Sequence, residues 1–136
     1  MRGRGEAAAR LQTFLRQAGW YPLYSLHFDD SDALIETSSA GGLRLIENIV
    51  KSGSSQRVRL AAREYHEETP EANRRRAEKR LQTLRAALAK RRVDLSRVDF
   101  APLGVDEPRI AVTTEAMRLM YGAVEIQIAG AGRSAF

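Results

Sequence analysis

The sequence predicts an α/β (α+β) two-layer sandwich, in which helices cover one face of a mixed four-stranded β-sheet. Two observations favour this fold class. Strand-like segments alternate along the chain with helical segments of about twelve residues or more, a pattern typical of crossover connections. The longest helical segment, residues 69–93, is apolar on one side and basic around the rest, as expected of a helix that packs on a sheet. The 136 residues, 43% of them hydrophobic, suffice for one domain with its own core.

The first segment, residues 1–22, is predicted to be an amphipathic helix followed by an aromatic elbow. The helix spans residues 6–18 and ends at Gly19, and residues 20–22 (Trp-Tyr-Pro) form the elbow. The apolar side of the helix consists of Ala7, Leu11, Phe14, Leu15 and Ala18. This helix is either a docking element or, as is more common, an additional core helix.

Residues 23–129 are predicted to form the main domain, which begins with a strand from Leu23 to Phe28. A polar, acidic turn at residues 29–39 leads to a helix that a serine caps and that runs to about Ser52. The buried stripe of this helix is Leu43, Ile46, Ile49 and Val50. A second strand is predicted over residues 57–62, with alternate residues facing the core.

The longest helix has the clearest start signal in the chain. Residues 69–71 read Thr-Pro-Glu, which supplies a capping hydroxyl, a proline at the first position and an acid near the positive end of the helix dipole. Its core stripe is Ala77, Leu81, Leu84 and Leu88. Two further strands are predicted at residues 98–103 and 124–128, with a short helix at residues 114–120 between them. The tail, residues 130–136, is predicted to be flexible.

The chain lacks the patterns on which catalysis and metal binding commonly depend. It has no cysteine, and His27 and His66 have no ligand spacing around them, so neither a metal site nor a cofactor is predicted. No glycine-rich phosphate loop and no Gly-x-Ser-x-Gly elbow occurs. Asp29, Asp30 and Asp32 form either a carboxylate cluster or a polar turn, and the turn is the simpler explanation. We therefore predict that the protein is not an enzyme.

Charge and hydropathy restrict the partners. The formal net charge of +5 and the isoelectric point near 10.1 favour polyanions, which include nucleic acid, anionic lipid and acidic wall polymers. No apolar run approaches the roughly 18 residues of a membrane-spanning helix. The first 20 residues also lack the apolar core of a signal peptide, so an exported protein would carry its signal upstream of this sequence.

Four pieces of the sequence, in this order and spacing, resemble the OmpA-like, peptidoglycan-associated C-terminal domain family over about residues 26–128. They are LHFDDSDALI, the Val58-Arg59-Leu60 strand, ANRRRAEKRLQTLRAAL, and VDFAPLG followed by Pro108 and the terminal VEIQI. The resemblance implies the OmpA-like order β-α-β-α-β-β, with helices on one face of a mixed four-stranded sheet, here with an added N-terminal helix.

The resemblance also implies a ligand. In that family the domain binds the peptide stem of peptidoglycan, and an Asp at the end of the middle strand and an Arg before the last strand hold the two ends of a diaminopimelate side chain. Residues 62–65 read Ala-Arg-Glu-Tyr where the family has Gly-His-Thr-Asp, so Glu64 is the nearest acid. Residues 121–123 read Tyr-Gly-Ala where the family has Asn-Arg-Arg, and Arg118 is the nearest guanidinium. The chain therefore resembles a divergent member with a degenerate ligand motif.

The longest helix keeps more of the family's pattern. Arg76 and the alanine after it stand at the family's Arg-Ala pair, and Asn73 stands at its Ser position. Arg80 continues the same stripe beside the apolar face. The resemblance thus implies a ligand site composed of Arg76, Asn73, Arg80, Glu64 and Arg118. The alternative, that the helix positions are simply solvated, stays open at this point.

Two functions are compatible with these observations. The first is a non-enzymatic, periplasmic module of the cell envelope, which associates with peptidoglycan or an acidic envelope partner protein within a secretion, motor or anchoring complex. The alternative is a basic nucleic-acid-binding domain that uses the Arg-rich helix of residues 70–92. Bases surround that helix on all sides, Glu71 and Glu78 interrupt them, and no aromatic stacking platform accompanies them, which favours the first function.

Overall fold

The computed structural model describes residues 19–52, 57–64, 69–104 and 124–128. The elements within these ranges are β1 (Trp20–Pro22), α1 (Ala40–Ser52), β2 (Val58–Arg63), α2 (Pro70–Lys90), β3 (Val98–Gly104) and β4 (Val124–Ile128). The predicted helices at residues 6–18 and 114–120 and the predicted tail lie outside the described residues.

The four strands form one mixed sheet in the order β1-β4-β2-β3. Strands β2 and β3 are parallel and are joined by α2, whereas β4 runs antiparallel to both β1 and β2. A parallel pair needs such a crossover connection, because the chain must return to the same end of the sheet. The predicted fold class is therefore confirmed.

The predicted strand from Leu23 to Phe28 is wrong. The strand lies three residues earlier, at β1, where Tyr21 is opposite Ile126 of β4. After it the chain turns, and the Leu26 N–H donates to the carbonyl oxygen of Leu23 at 3.3 Å. Leu23 and Leu26 are both buried, a three-residue spacing that suits a turn and is incompatible with the two-residue period of a strand.

One face of the sheet and the inner sides of both helices share a single core. On α2 the predicted stripe is confirmed, since none of its residues is more than 4% exposed: Ala77, Leu81, Leu84 and Leu88. The predicted stripe of α1 is buried in the same cluster: Leu43, Ile46, Ile49 and Val50. Alternate residues of β2 and β4 complete it: Val58, Leu60, Ala62, Val124, Ile126 and Ile128. The two-residue period of a strand places the residues between them on the opposite face.

The start of α2 is the one predicted from residues 69–71. Thr69 has an extended backbone and its hydroxyl accepts a hydrogen bond from the Ala72 N–H at 3.1 Å, while Pro70 occupies the first helical position. The cap satisfies one of the N–H groups that every helix start leaves without a partner. The cap sets where α2 begins, and burial of its apolar stripe decides which arginines face the end of β2.

An ion pair joins the starts of the parallel strands β2 and β3, and its contribution to the free energy of folding depends on pH. Arg57 donates two hydrogen bonds to the Asp99 carboxylate, from Nε at 3.0 Å and from Nη2 at 2.6 Å. These hydrogen bonds, with the attraction between the two charges, lower the pKa of Asp99. The Asp99 carboxyl is therefore protonated at a higher pH in the unfolded chain than in the folded chain. The stabilisation is fully present above the unfolded Asp pKa of about 3.9, and it is lost as the pH falls through the lower pKa of the folded chain.

We expect Asp99→Asn to lower the free energy of unfolding at neutral pH by less than about 1 kcal/mol, because both side chains are well exposed. The difference from the wild type should shrink as the pH is lowered to about 2.5. Urea unfolding of both proteins at the two pH values measures this. An equal difference at both pH values would contradict the pKa assignment.

Candidate functional site

Four charged side chains meet at the end of β2, and we call them the charged quartet: Asp32, Glu64, Arg76 and Arg80. Glu64 directly follows β2 and lies two residues after the core-facing Ala62. Because side chains alternate along a strand, Glu64 points to the side of the sheet that α2 covers. Arg76 and Arg80 lie four residues apart on α2 and therefore on one face of the helix. Asp32 reaches them from the loop between β1 and α1.

Each guanidinium of the quartet contacts both acids. Arg76 donates from Nε and Nη2 to the two oxygens of Asp32, both at 3.1 Å, and its Nη1 lies 3.2 Å from Glu64 Oε2. Arg80 donates from Nε to Asp32 Oδ1 at 3.0 Å and from Nη2 to Glu64 Oε2 at 2.6 Å. Two positive and two negative groups give the quartet no net charge, and all four belong to the chain itself.

Burial within the quartet is uneven. The side chains of Glu64 and Asp32 are 2% and 6% exposed, that of Arg80 is 12% exposed and that of Arg76 is 28% exposed. Burial of charge is tolerated only where opposite charges and hydrogen bonds replace water, and the quartet provides both. Arg76 is therefore the most solvent-exposed member of the quartet.

The loop that carries Asp32 is held by a different acid. The Asp29 carboxylate accepts hydrogen bonds from the N–H of Ser31 at 2.9 Å, the hydroxyl of Ser31 at 2.8 Å and the N–H of Ala33 at 3.0 Å. The Ser31 hydroxyl is the main cause of a lowered pKa for Asp29. Asp32 itself has a φ of 65°, in the left-handed region that few residues other than glycine adopt. The prediction of a polar turn describes the role of Asp29. For Asp32 it is incomplete, because the Asp32 carboxylate also pairs with the two arginines of the charged quartet.

Further contacts attach this loop to α2. The Leu34 N–H donates to the Thr83 hydroxyl at 3.0 Å, which joins the loop to the helix one turn beyond Arg80. The guanidinium of Arg80 lies 5.9 Å from the ring centroid of Phe28, a cation–π distance. The loop and the helix are thus joined beside the quartet as well as through it.

A second buried ion pair lies on the opposite face of the sheet at the same end. Arg63 pairs with Glu125 of β4, whose other oxygen accepts from Gln127 Nε2 at 2.6 Å. The carbonyl oxygen of Arg63 accepts from Arg80 Nη1 at 3.4 Å, so the backbone of β2 connects the pair with the quartet. The β2–β3 register shifts between Ala62 and Arg63, and such irregularities are frequent beside functional sites.

The structure brings together three of the five predicted site residues, namely Glu64, Arg76 and Arg80. Asn73 lies three residues before Arg76 on α2 and is 3% exposed, so the solvated-position alternative does not describe it. Arg118 lies outside the described residues. Sequence reasoning missed Asp32 as a site residue.

Within the described part of the chain, no group of three or more His, Cys, Asp or Glu side chains could hold a metal ion. None of the helices in that part is long and apolar enough to cross a membrane.

Comparison with known proteins bears on the fold. No protein-family model and no curated protein matches the chain. The chain is similar in structure to a MotB-like protein from Desulfovibrio vulgaris, with a TM-score of 0.65 and 12% identity over 90% of this chain and 94% of the other. It is similar to the peptidoglycan-associated lipoprotein from Burkholderia pseudomallei, with a TM-score of 0.57 and 21% identity over 76% and 86%. A third likeness is to the periplasmic domain of Helicobacter pylori MotB, with a TM-score of 0.60 and 17% identity over 85% and 75%. At these identities the likeness concerns the fold, and it confirms the fold that the OmpA-like resemblance implied.

Proposed function

We propose that this chain is a non-enzymatic module of the bacterial cell envelope, located in the periplasm, that associates with peptidoglycan or packs within an envelope assembly. The observation that carries the proposal is the shared fold, since the solved structures that resemble most of this chain include a peptidoglycan-associated lipoprotein and MotB or MotB-like domains. An assembly of the motor, secretion or anchoring type would present such a module to the wall or to an acidic partner protein.

The charged quartet supports a binding role at the end of β2. Arg76 is kept where the OmpA-like resemblance places a ligand-binding helix, and it is the quartet member most accessible to solvent. The quartet is already neutral, however, so a ligand competes here with the chain's own acids for the two guanidinium groups. An altered ligand site of this kind agrees with the departures from the family pattern.

Nucleic-acid binding through α2 receives no support from the structure. Phosphate binding needs several Lys or Arg side chains free on one accessible face. At least four of the nine bases between residues 69 and 93 are paired with acidic side chains: Arg76, Arg80, Lys90 and Arg91. These pairs reduce the positive potential of the helix where the acids lie.

Retention on purified peptidoglycan sacculi tests the proposal. We expect the wild-type protein to be retained and Arg76→Ala to lose roughly tenfold or more in affinity, the usual consequence of deleting a charge-assisted contact. The matched control is Arg75→Ala, which removes an exposed arginine of the same helix and should bind like the wild type. Thermal melts of all three proteins separate lost binding from lost structure.

A DNA-binding assay at several salt concentrations belongs beside the sacculus assay. Weak DNA binding by the wild type is expected. Strong, salt-sensitive DNA binding without retention on sacculi would overturn the envelope proposal in favour of the nucleic-acid alternative. Retention on neither would exclude peptidoglycan and leave only the packing role.

A further inference from the structure

The side chain of Asp32 occupies the face of Arg76 that a bound carboxylate would use. Nε and Nη2 of Arg76 each lie 3.1 Å from a different oxygen of Asp32, which is the side-on, two-bond geometry of guanidinium–carboxylate recognition. Any external carboxylate that binds Arg76 in this way must first displace Asp32.

The loop that carries Asp32 is also held by contacts that do not involve its carboxylate. The turn before it is held by Asp29 and by backbone hydrogen bonds, and the loop after it is tied to α2 through Leu34 and Thr83. None of these contacts uses the Asp32 carboxylate.

Glu64 differs from Asp32 in this respect. It follows β2 directly, is only 2% exposed, and makes the shortest contact in the quartet, 2.6 Å to Arg80 Nη2. Departure of Asp32 would therefore leave Arg80 paired with Glu64 and would remove the two hydrogen bonds that Arg76 donates to Asp32.

We infer that the charged quartet is a closed carboxylate-binding site, in which Asp32 is an internal competitor that a ligand carboxylate displaces from Arg76. The inference rests on the proposed function only for the natural source of that carboxylate, a peptide stem of the wall. The ligand class is a bidentate carboxylate of a peptide or amino acid. Because only the fraction of molecules with Asp32 displaced is competent to bind, the apparent affinity of the wild type is reduced by that fraction.

Asp32→Asn opens the site with the least other change. Asparagine has the same shape, tolerates the left-handed backbone at this position and carries no charge to hold the guanidinium. The probe is free meso-diaminopimelate, titrated by NMR with observation of the Arg76 Nε–H signal, and its diamide is the probe without carboxylates. We expect Asp32→Asn to bind meso-diaminopimelate at least tenfold more tightly than the wild type, and the diamide no more tightly.

Asp99→Asn is the matched control. It removes the same charge from another two-bond Asp–Arg pair, the one with Arg57 at the start of β2 and β3. The affinity of this variant for meso-diaminopimelate should stay within about twofold of the wild type. Adding Arg76→Ala to Asp32→Asn should abolish the gain. If Asp32→Asn fails to fold, Asp32→Gly takes its place, because glycine adopts the same backbone and also removes the carboxylate.

The inference is overturned if the folded Asp32 variant binds meso-diaminopimelate no more tightly than the wild type or Asp99→Asn. It is equally overturned if the diamide gains as much as the diacid. These outcomes are independent of the sacculus assay. A wild type retained on sacculi with no gain in the Asp32 variant refutes the closed site alone. The reverse pattern refutes peptidoglycan binding by the wild type and leaves the closed site standing.

Discussion

Leu84→Ala is expected to lower the free energy of unfolding by about 2–5 kcal/mol. Leu84 lies in the middle of α2, is fully buried, and belongs to the core cluster that the helix shares with β2 and β4. Truncation removes buried apolar surface and leaves a cavity that the rigid sheet beneath cannot fill. Since domains of this size are stable by about 5–15 kcal/mol in total, the loss is a large fraction of the whole.

Chemical denaturation at equilibrium measures this loss. The control is Gln82→Ala, an exposed position two residues earlier on the same helix, where a change within about 0.5 kcal/mol is expected. A Leu84→Ala protein within about 1 kcal/mol of the wild type would contradict the packing of α2 on the sheet.

The sequence predicted α2, β3 and β4 well because the signals for these elements are local. The start of α2 is specified by three adjacent residues, Thr-Pro-Glu, and its buried side by a regular apolar spacing over twelve residues from Ala77 to Leu88. The strand at residues 124–128 was predicted with the bounds that the structure has. In these segments intrinsic preference and tertiary packing favour the same structure.

The first strand could not be predicted in the same way. At three residues, β1 is too short to show a period, and it exists because its backbone pairs with β4 more than a hundred residues later in the chain. The next segment, from Leu23 to Phe28, has a composition that suits a strand. Its two buried leucines in fact anchor a turn. Pairing partners distant in sequence decided this part of the sheet, and a local pattern carries no information about them.

The same distinction applies to the site. Of the three predicted members, Arg76 stands at a family position of the OmpA-like resemblance, Glu64 is the acid nearest to the family's Asp, and Arg80 lies on the same helix stripe as Arg76. Asp32 lies 44 residues before Arg76 and is brought to it only by the fold. Arg63 and Glu125, 62 residues apart, meet for the same reason. Two partly buried arginines beside one acid do, however, favour a second acid nearby for charge balance, and this was the signal that could have identified Asp32.

Glu64→Ala should be the most destabilising single change in the charged quartet, with an expected loss of about 3 kcal/mol. Glu64 is the least exposed member, and its removal takes one acidic contact away from each of the two guanidinium groups. The estimate is at the lower end of the range of about 3–5 kcal/mol for a broken buried ion pair, because Arg76 retains contact with solvent. Glu78→Ala, which removes an exposed acid of α2, is the control and should change stability by no more than about 0.5 kcal/mol.

A double-mutant cycle with Arg80 shows whether the loss arises from the broken pair. If the cost of Glu64→Ala is mainly that of removing one of the two acids that contact the largely buried Arg80, then adding Arg80→Ala should recover part of it. The double variant should then be more stable than the sum of the single losses predicts, by about 1–3 kcal/mol. Additive losses in urea unfolding would mean that Glu64 and Arg80 act independently, and the 2.6 Å contact between them would then contribute nothing to the free energy of folding. A positive coupling would establish that Glu64 is the fixed acid of the quartet, the role on which the displacement of Asp32 by an external carboxylate depends.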